Sequence, residues 1–323
     1  MTGPRVVFMG SPPIAVATLE ALVDEYEVAL VATQPDRPKG RGRRMSATAV
    51  HERADRFGIE VVATEDVNGE EAAARLRAAA PDVIVVVSFG QILKEPLLEL
   101  PRLGCLNVHF SLLPKLRGAA PIAWAIIRGH RKTGVSIIRM VRKMDAGAVL
   151  AQVREAIRND DTAATLGERL GHLGARLLRD TLERHSSGET VPKEQAESQA
   201  TFAPKITRAT AGIDWAKSAA EVDRLIRGLS GELEAYAFFG GGRMLRVNLF
   251  NSAPAPGPSP GVGVAARGAE GELVVGCGEG AVEIKEIQAE GRRRLSGKDF
   301  ANGYHIRGGE CFHNGRQGAR HGQ

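Results

Sequence analysis

The chain has 323 residues, 43% hydrophobic and 25% charged, with a formal net charge of +5. That length exceeds one ordinary hydrophobic core, so two domains are expected, and the composition excludes wholesale disorder. Cys105, Cys277 and Cys311 are too few and too scattered for a disulfide framework or a cysteine-based metal site, which points to a reducing cytoplasm.

Short β-branched runs at Arg5 to Phe8, Val28 to Thr33 and Asp82 to Ser88 are predicted strands. Apolar residues at helical spacing separate them, as at Ile14, Thr18, Leu22 and Val23. Alternating strand and helix implies parallel pairing with helices on both faces, a doubly wound, Rossmann-like α/β domain. Cys105 to His109 and Val135 to Val141 extend that sheet. Asp160 to Thr162 supply cap chemistry for a helix carrying Leu166, Leu170, Leu173, Leu177 and Leu182, and Ser186 to Gly188 end it. The first domain therefore spans 1–188, and the period-free stretch 189–203 reads as a linker.

A smaller second domain is expected over 204–312. A helix around Ala219 to Leu229 precedes strands at Arg243 to Leu249, Gly271 to Val275 and Ala281 to Ile287, a spacing suited to an OB-like β-barrel. Asn251 to Gly261 reads as a Pro-rich insertion, and 313–323 as a disordered tail. No apolar run is long enough to cross a bilayer, and no secretory segment opens the chain, so no membrane partner is expected.

The first strand opens into Gly10-Ser11-Pro12-Pro13, which lacks the further glycines of a dinucleotide-binding turn and argues against NAD. Asn107 and His109 stand two apart on a strand, so both side chains leave one face near its end, where ligands sit in open α/β sheets. An amide and an imidazole converging on a carbonyl oxygen would stabilise the charge that forms when a nucleophile adds. Asp145 follows another strand and can reach the same cleft, favouring a protonated, donating imidazole. The alternative is structural: a turn cap, a core histidine and a helix cap. Ser111-Leu112-Leu113-Pro114 has the composition of a pocket wall for a flat heterocycle, or of a buried turn. The other histidines show no metal-ligand spacing, and no metal is expected.

Arg37, Lys39, Arg41, Arg43 and Arg44 crowd one Pro- and Gly-broken segment without interleaved acids, so phosphates are the expected partner. Arg208, Lys217, Arg224, Arg227, Arg243, Arg246, Arg292 to Arg294 and Lys298 make the second domain basic as well.

Taken together, FMGSPPIAVATLEAL, TQPDRPKGRG, SFGQIL, LNVHFSLLPKLRGAAPIAWAIIRG, TGVSII and MDAG, followed by IDWAKSAAEVDRLIRGLS and EGRRRLSGKDFANGYHIRGGE, resemble the methionyl-tRNA formyltransferase family from about Arg5 to Phe312. The resemblance implies formyl transfer from 10-formyltetrahydrofolate to the free amine of initiator methionyl-tRNA, with no metal required; a monomer is expected. By the same resemblance Asn107, His109 and Asp145 are the catalytic trio, Ser111 to Pro114 bind the folate, and Arg41 within the basic segment contacts the tRNA. Two rivals stand beside it. One is a formyltransferase acting on a sugar nucleotide or other small amine, which has no use for the basic segment. The other is a non-catalytic RNA-binding protein, which has no use for the trio.

Overall fold

The computed structural model describes residues 3–39, 44–231, 233–241 and 244–315. The chain divides into two compact units, the first made of Met1–Pro121, Lys132–Ala156 and Gly167–Pro204, the second of Ile122–Arg131, Ile157–Leu166 and Lys205–Gln323.

The first unit is built on seven strands: β1 (Val6–Gly10), β2 (Val28–Thr33), β3 (Val61–Ala63), β4 (Val83–Val87), β5 (Cys105–His109), β6 (Lys132–Arg139) and β7 (Val149–Ala156). Their order across the sheet is β3, β2, β1, β4, β5, β6, β7. Pairing is parallel from β3 through β5. Every residue of β1 and β4 is buried, as unbroken apolar runs require when both faces of a sheet are covered. The covering helices α1 (Val16–Glu25), α2 (Ala49–Arg56), α3 (Glu70–Ala78) and α4 (Ala163–Ser186) bury Leu19, Leu22, Leu76, Leu166, Leu170 and Leu182, while Leu173 and Leu177 of the expected stripe on α4 are half-buried.

Parallel pairing does not extend to the end of the sheet, because β6 runs antiparallel to β5 and β7 antiparallel to β6. The link 140–148 is too short for the crossover that a parallel β6 and β7 would need. β7 alternates between half-buried and exposed positions, the mark of an edge strand, and Arg154 and Glu155 hide it among apparent loop residues. The strand order reverses around β1 and β4, so the carboxyl ends of β1, β4 and β5 lie at the switch point where open α/β sheets bind ligands.

The second unit holds β8 (Ala235–Phe239), β9 (Leu245–Ala255), β10 (Ala265–Arg267), β11 (Leu273–Gly276), β12 (Ala281–Ala289), β13 (Arg294–Ser296) and β14 (Phe312–His313). All pairings are antiparallel, in the order β10, β11, β12, β9, β8, β14, with β13 on β12. The two ends of this path are tied together. Phe312 donates its N–H to the Gly263 carbonyl, and Ala265 donates to Glu310, each at 2.7 Å. The sheet thus curls around Trp215, Val222, Ile226, Phe239, Phe300 and Phe312. Helix α5 (Ala219–Leu229) packs on it, opened by a capping box between Ser218 and Glu221.

Three sequence expectations change here. Asn251 to Ala255, expected within a Pro-rich insertion, continue β9 and pair with Ala281 to Glu286 of β12. Pro254 is tolerated because pairing with β8 stops at Leu249, which leaves that stretch of β9 with an open side. His313 to Gly315, expected in the tail, are held by pairing with Phe238, by the Asn314 side chain accepting from the Trp215 backbone N–H at 2.9 Å, and by Gly315 donating to the Ile213 carbonyl. Arg227, counted among the residues that make the second domain basic, is buried: it donates to Asp223 at 2.8 Å and to the Asp161 carbonyl at 2.6 Å, while Ser252 donates to Asp223 at 2.9 Å. An i,i+4 acid on the same helix and the Asp161 carbonyl satisfy it internally.

Candidate active site

Strand β5 carries Asn107 and His109 on one face, as the period of two requires. Asp145 enters from the loop between β6 and β7 and meets both. Asn107 Nδ2 donates to Asp145 Oδ1 at 3.3 Å, and His109 Nδ1 lies 3.6 Å from Asp145 Oδ2. Gly118 donates its backbone N–H to Asp145 Oδ2 at 2.7 Å. His109 is buried and holds the Leu116 carbonyl through Nε2 at 3.0 Å. That bond requires the proton on Nε2. The three residues predicted from sequence therefore stand together at the carboxyl end of β5.

Backbone geometry fixes the arrangement. Asp145 has φ 50°, a left-handed conformation that Asp accepts more readily than most residues. Leu116, at φ 60°, has no such tolerance, and a bulky residue there costs about 1–3 kcal/mol. It is held by the Thr201 hydroxyl accepting its N–H at 2.9 Å and by His109 on its carbonyl. Segment 114–120 is in turn zipped to 201–203. Thr201 donates to the Pro114 carbonyl, Arg117 to Thr201, Ala203 to Arg117 and Ala120 to Ala203.

The Ser111 to Pro114 turn runs beside the trio and ends in a cis Leu113–Pro114 peptide. Several of its polar atoms are engaged: Ser111 Oγ donates to the Lys115 carbonyl, Ser136 Oγ donates to the Ser111 carbonyl and accepts from Leu113 N–H, and Gln152 donates to the Leu113 carbonyl. What the turn offers a ligand is the partly exposed apolar surface of Leu112 and Pro114. Exposed Ile92 lies on the loop following β4, and exposed Val141 and Met144 on the loop following β6. A 3.8 Å ion pair between Glu95 and Arg142 brings those two loops together.

Of the basic segment, Arg37 is exposed and stands in a two-stranded ribbon of Arg37–Lys39 with Arg44–Ser46. Arg41 and Arg43 lie outside the described residues, and Lys39 and Arg44 are described in their backbone alone. Two surface hollows contain no residue of the trio. One is lined by Glu20, Asp24, His172 and Arg176, the other by Phe239, Met244 and Tyr304. Neither gathers groups for acyl transfer, so the convergence of side chains identifies the candidate site.

Sequence reasoning misses Arg117, Gln195, Glu197 and Thr201 at this site. Arg117 is adjacent to a motif already singled out. The other three lie in a stretch without helical or strand period, and no signal in it marks them.

Residues 4–182 match the family model described as formyl transferase, and 205–305 that of the formyl transferase C-terminal domain. A methionyl-tRNA formyltransferase of Caldanaerobacter subterraneus subsp. tengcongensis is 42% identical over 304 residues, covering 94% of this chain and 97% of that protein. The methionyl-tRNA formyltransferase of Bacillus subtilis is 40% identical over 309 residues, covering 95% and 97%. Among solved structures, HypX of Aquifex aeolicus in complex with tetrahydrofolic acid aligns with a TM-score of 0.66 at 18% identity, over 94% of this chain and 48% of that one, a likeness of fold.

Proposed function

We infer the function from kinship and geometry together: the chain belongs to the methionyl-tRNA formyltransferase family, and its trio faces the ligand-binding end of the sheet. It formylates methionyl-tRNA. The donor is 10-formyltetrahydrofolate, and the acceptor is the initiator species.

The observation that carries the mechanism is the meeting of Asn107, His109 and Asp145 around one carboxylate. The amine nitrogen of methionyl-tRNA adds to the formyl carbon, the bond from that carbon to the folate N10 breaks, and the proton lost by the amine is replaced on N10, releasing tetrahydrofolate. Asn107 spends one Nδ2–H on Asp145 and keeps a second for the oxyanion. His109 reaches the same oxygen by exchanging the Leu116 carbonyl for it. Asp145 accepts the proton of the attacking amine and orients the imidazole.

The apolar faces of Leu112 and Pro114 suit the flat pteridine, with Ser111 and Leu113 shaping the turn. Arg37, Lys39, Arg41, Arg43 and Arg44 meet tRNA phosphates. Residues 1–188 carry the chemistry. Residues 204–312, whose curled sheet we read as OB-like, bind tRNA through charge that positions the backbone and reads no base. The protein works as a cytoplasmic monomer, and among the described residues no helix is long and apolar enough to cross a membrane. The test is formyl transfer to charged initiator tRNA compared with aminated sugar nucleotides. Product on the tRNA with none on the sugars is expected. Equal turnover of both would reject the acceptor, and no product on either would reject the enzyme.

A further inference from the structure

The stretch 189–203 has neither helical nor strand period, yet two of its side chains hold the loop that presents Asp145. Gln195 Nε2 donates to the Asp145 carbonyl at 2.8 Å and to the Gly147 carbonyl at 2.7 Å. Its other end, Oε1, accepts from Arg117 Nε at 3.1 Å and Nη2 at 2.9 Å. Glu197 repeats the bridge outside it, accepting from Arg117 Nη1 at 2.9 Å and from Lys143 Nζ at 2.5 Å. Arg117 is 2% exposed. A buried guanidinium is tolerated only when its donors are matched, so the geometry of Gln195 and Glu197 is fixed from that side. The hydrogen bonds of Lys143 first and Arg117 next hold the Glu197 carboxyl below its usual range.

The Gln195 amide can point only one way. Its oxygen is claimed by a permanent donor, which turns its nitrogen onto two carbonyls of the 145–147 turn. One carbonyl belongs to the residue that must hold φ 50° to aim its carboxylate at Asn107, Gly118 and His109, and the other lies two residues on. Left-handed backbone persists at a non-glycine residue only where its surroundings over-determine it.

We propose that Gln195, oriented by Arg117, is a positioning residue for formyl transfer, locking the 145–147 turn so that the Asp145 carboxylate faces the reacting centre. The proposal rests on the reading of Asp145 as catalytic. Glu197 reinforces the clamp from its exposed side.

Gln195→Glu separates this role from simple anchoring. It keeps an oxygen for Arg117 and removes both N–H donors to the turn. The expected result is a fall in kcat of about 10- to 100-fold, because a misplacement of about 1 Å costs on that scale. KM for methionyl-tRNA and for the formyl donor stay unchanged, while Tm falls by a few degrees as the two hydrogen bonds to the turn are lost. Acidification protonates the introduced carboxylate and restores one donor, so the gap to the wild-type kcat narrows as pH falls. Gln195→Met, neutral and of similar length, reproduces the loss of kcat without that recovery. If either variant folds and keeps kcat within about twofold of wild type while Asp145→Asn is inactive, the proposal is overturned. Wild-type kcat in Asp145→Asn would instead overturn the catalytic reading on which it rests.

Discussion

Replacing Gly118 by alanine tests how tightly the fold and the site are coupled. Gly118 adopts φ 120°, a conformation that alanine rarely takes, and an added Cβ would lie 2.7 Å from the Ala203 carbonyl oxygen. That oxygen cannot retreat freely, because it accepts the Ala120 N–H at 3.2 Å. The backbone strain alone is about 1–3 kcal/mol, and relieving the contact adds a cost of about 1–2 kcal/mol in off-minimum geometry. At about 2–4 °C per kcal/mol for a unit of this size, the transition of the first unit should fall by about 5–15 °C. Gly188 is the control. It too is left-handed, at φ 78°, but a Cβ there meets nothing within 4 Å, so Gly188→Ala should cost only the backbone preference, about 1 kcal/mol. Because the Gly118 N–H also binds Asp145 Oδ2 at 2.7 Å, Gly118→Ala should lower kcat as well, whereas Gly188→Ala should not. Calorimetry and steady-state formylation measure both. Equal Tm losses for the two variants, or full activity in Gly118→Ala, would refute the coupling.

Asn107→Ala should lower kcat by about 10²–10³-fold with little change in KM, the loss expected for one oxyanion donor; a KM effect alone would assign Asn107 to binding. Arg41→Ala should raise KM for methionyl-tRNA far more than for the formyl donor, and turnover at low tRNA should fall steeply with salt in the wild type, with a shallower slope in the variant. Burial pushes the Cys105 thiol up to about 12 and the Cys277 thiol up to about 11, so neither forms thiolate near pH 8. A thiol reagent should modify only exposed Cys311 in the native protein, while fast labelling of two or three cysteines would contradict the packing. The Arg5 backbone N–H, and then the Arg102 side chain, hold the Asp82 carboxyl below its ordinary value. A depressed carboxylate contributes stability that is complete above its unfolded value and disappears as pH falls through the folded one. The Tm gap between wild type and Asp82→Asn should therefore close on acidification, and a gap that widens would be incompatible with that sign.

The sequence by itself determines whatever rests on local period and short spacing. The buried parallel strands, the helices that cover them, the capped α5 and the pairing of Asn107 with His109 on one strand face are all of this kind, because side-chain direction follows from position in the strand or helix. It also places Asp145 after a strand, though not its contact with the other two. Only the tertiary structure decides what depends on partners far apart in the chain: the antiparallel edge of the first sheet, the passage of Pro254 through β9, the withdrawal of Arg227 from the surface, and the conversion of the apparent linker into a clamp. Gln195 lies 78 residues from Arg117 and 50 from Asp145, and its hydrogen bonds reach backbone carbonyls that every residue possesses. Contacts of that kind leave no pattern in the chain that makes them, so the shared strand face of Asn107 and His109 was legible in the sequence while the means of holding Asp145 beside them was not.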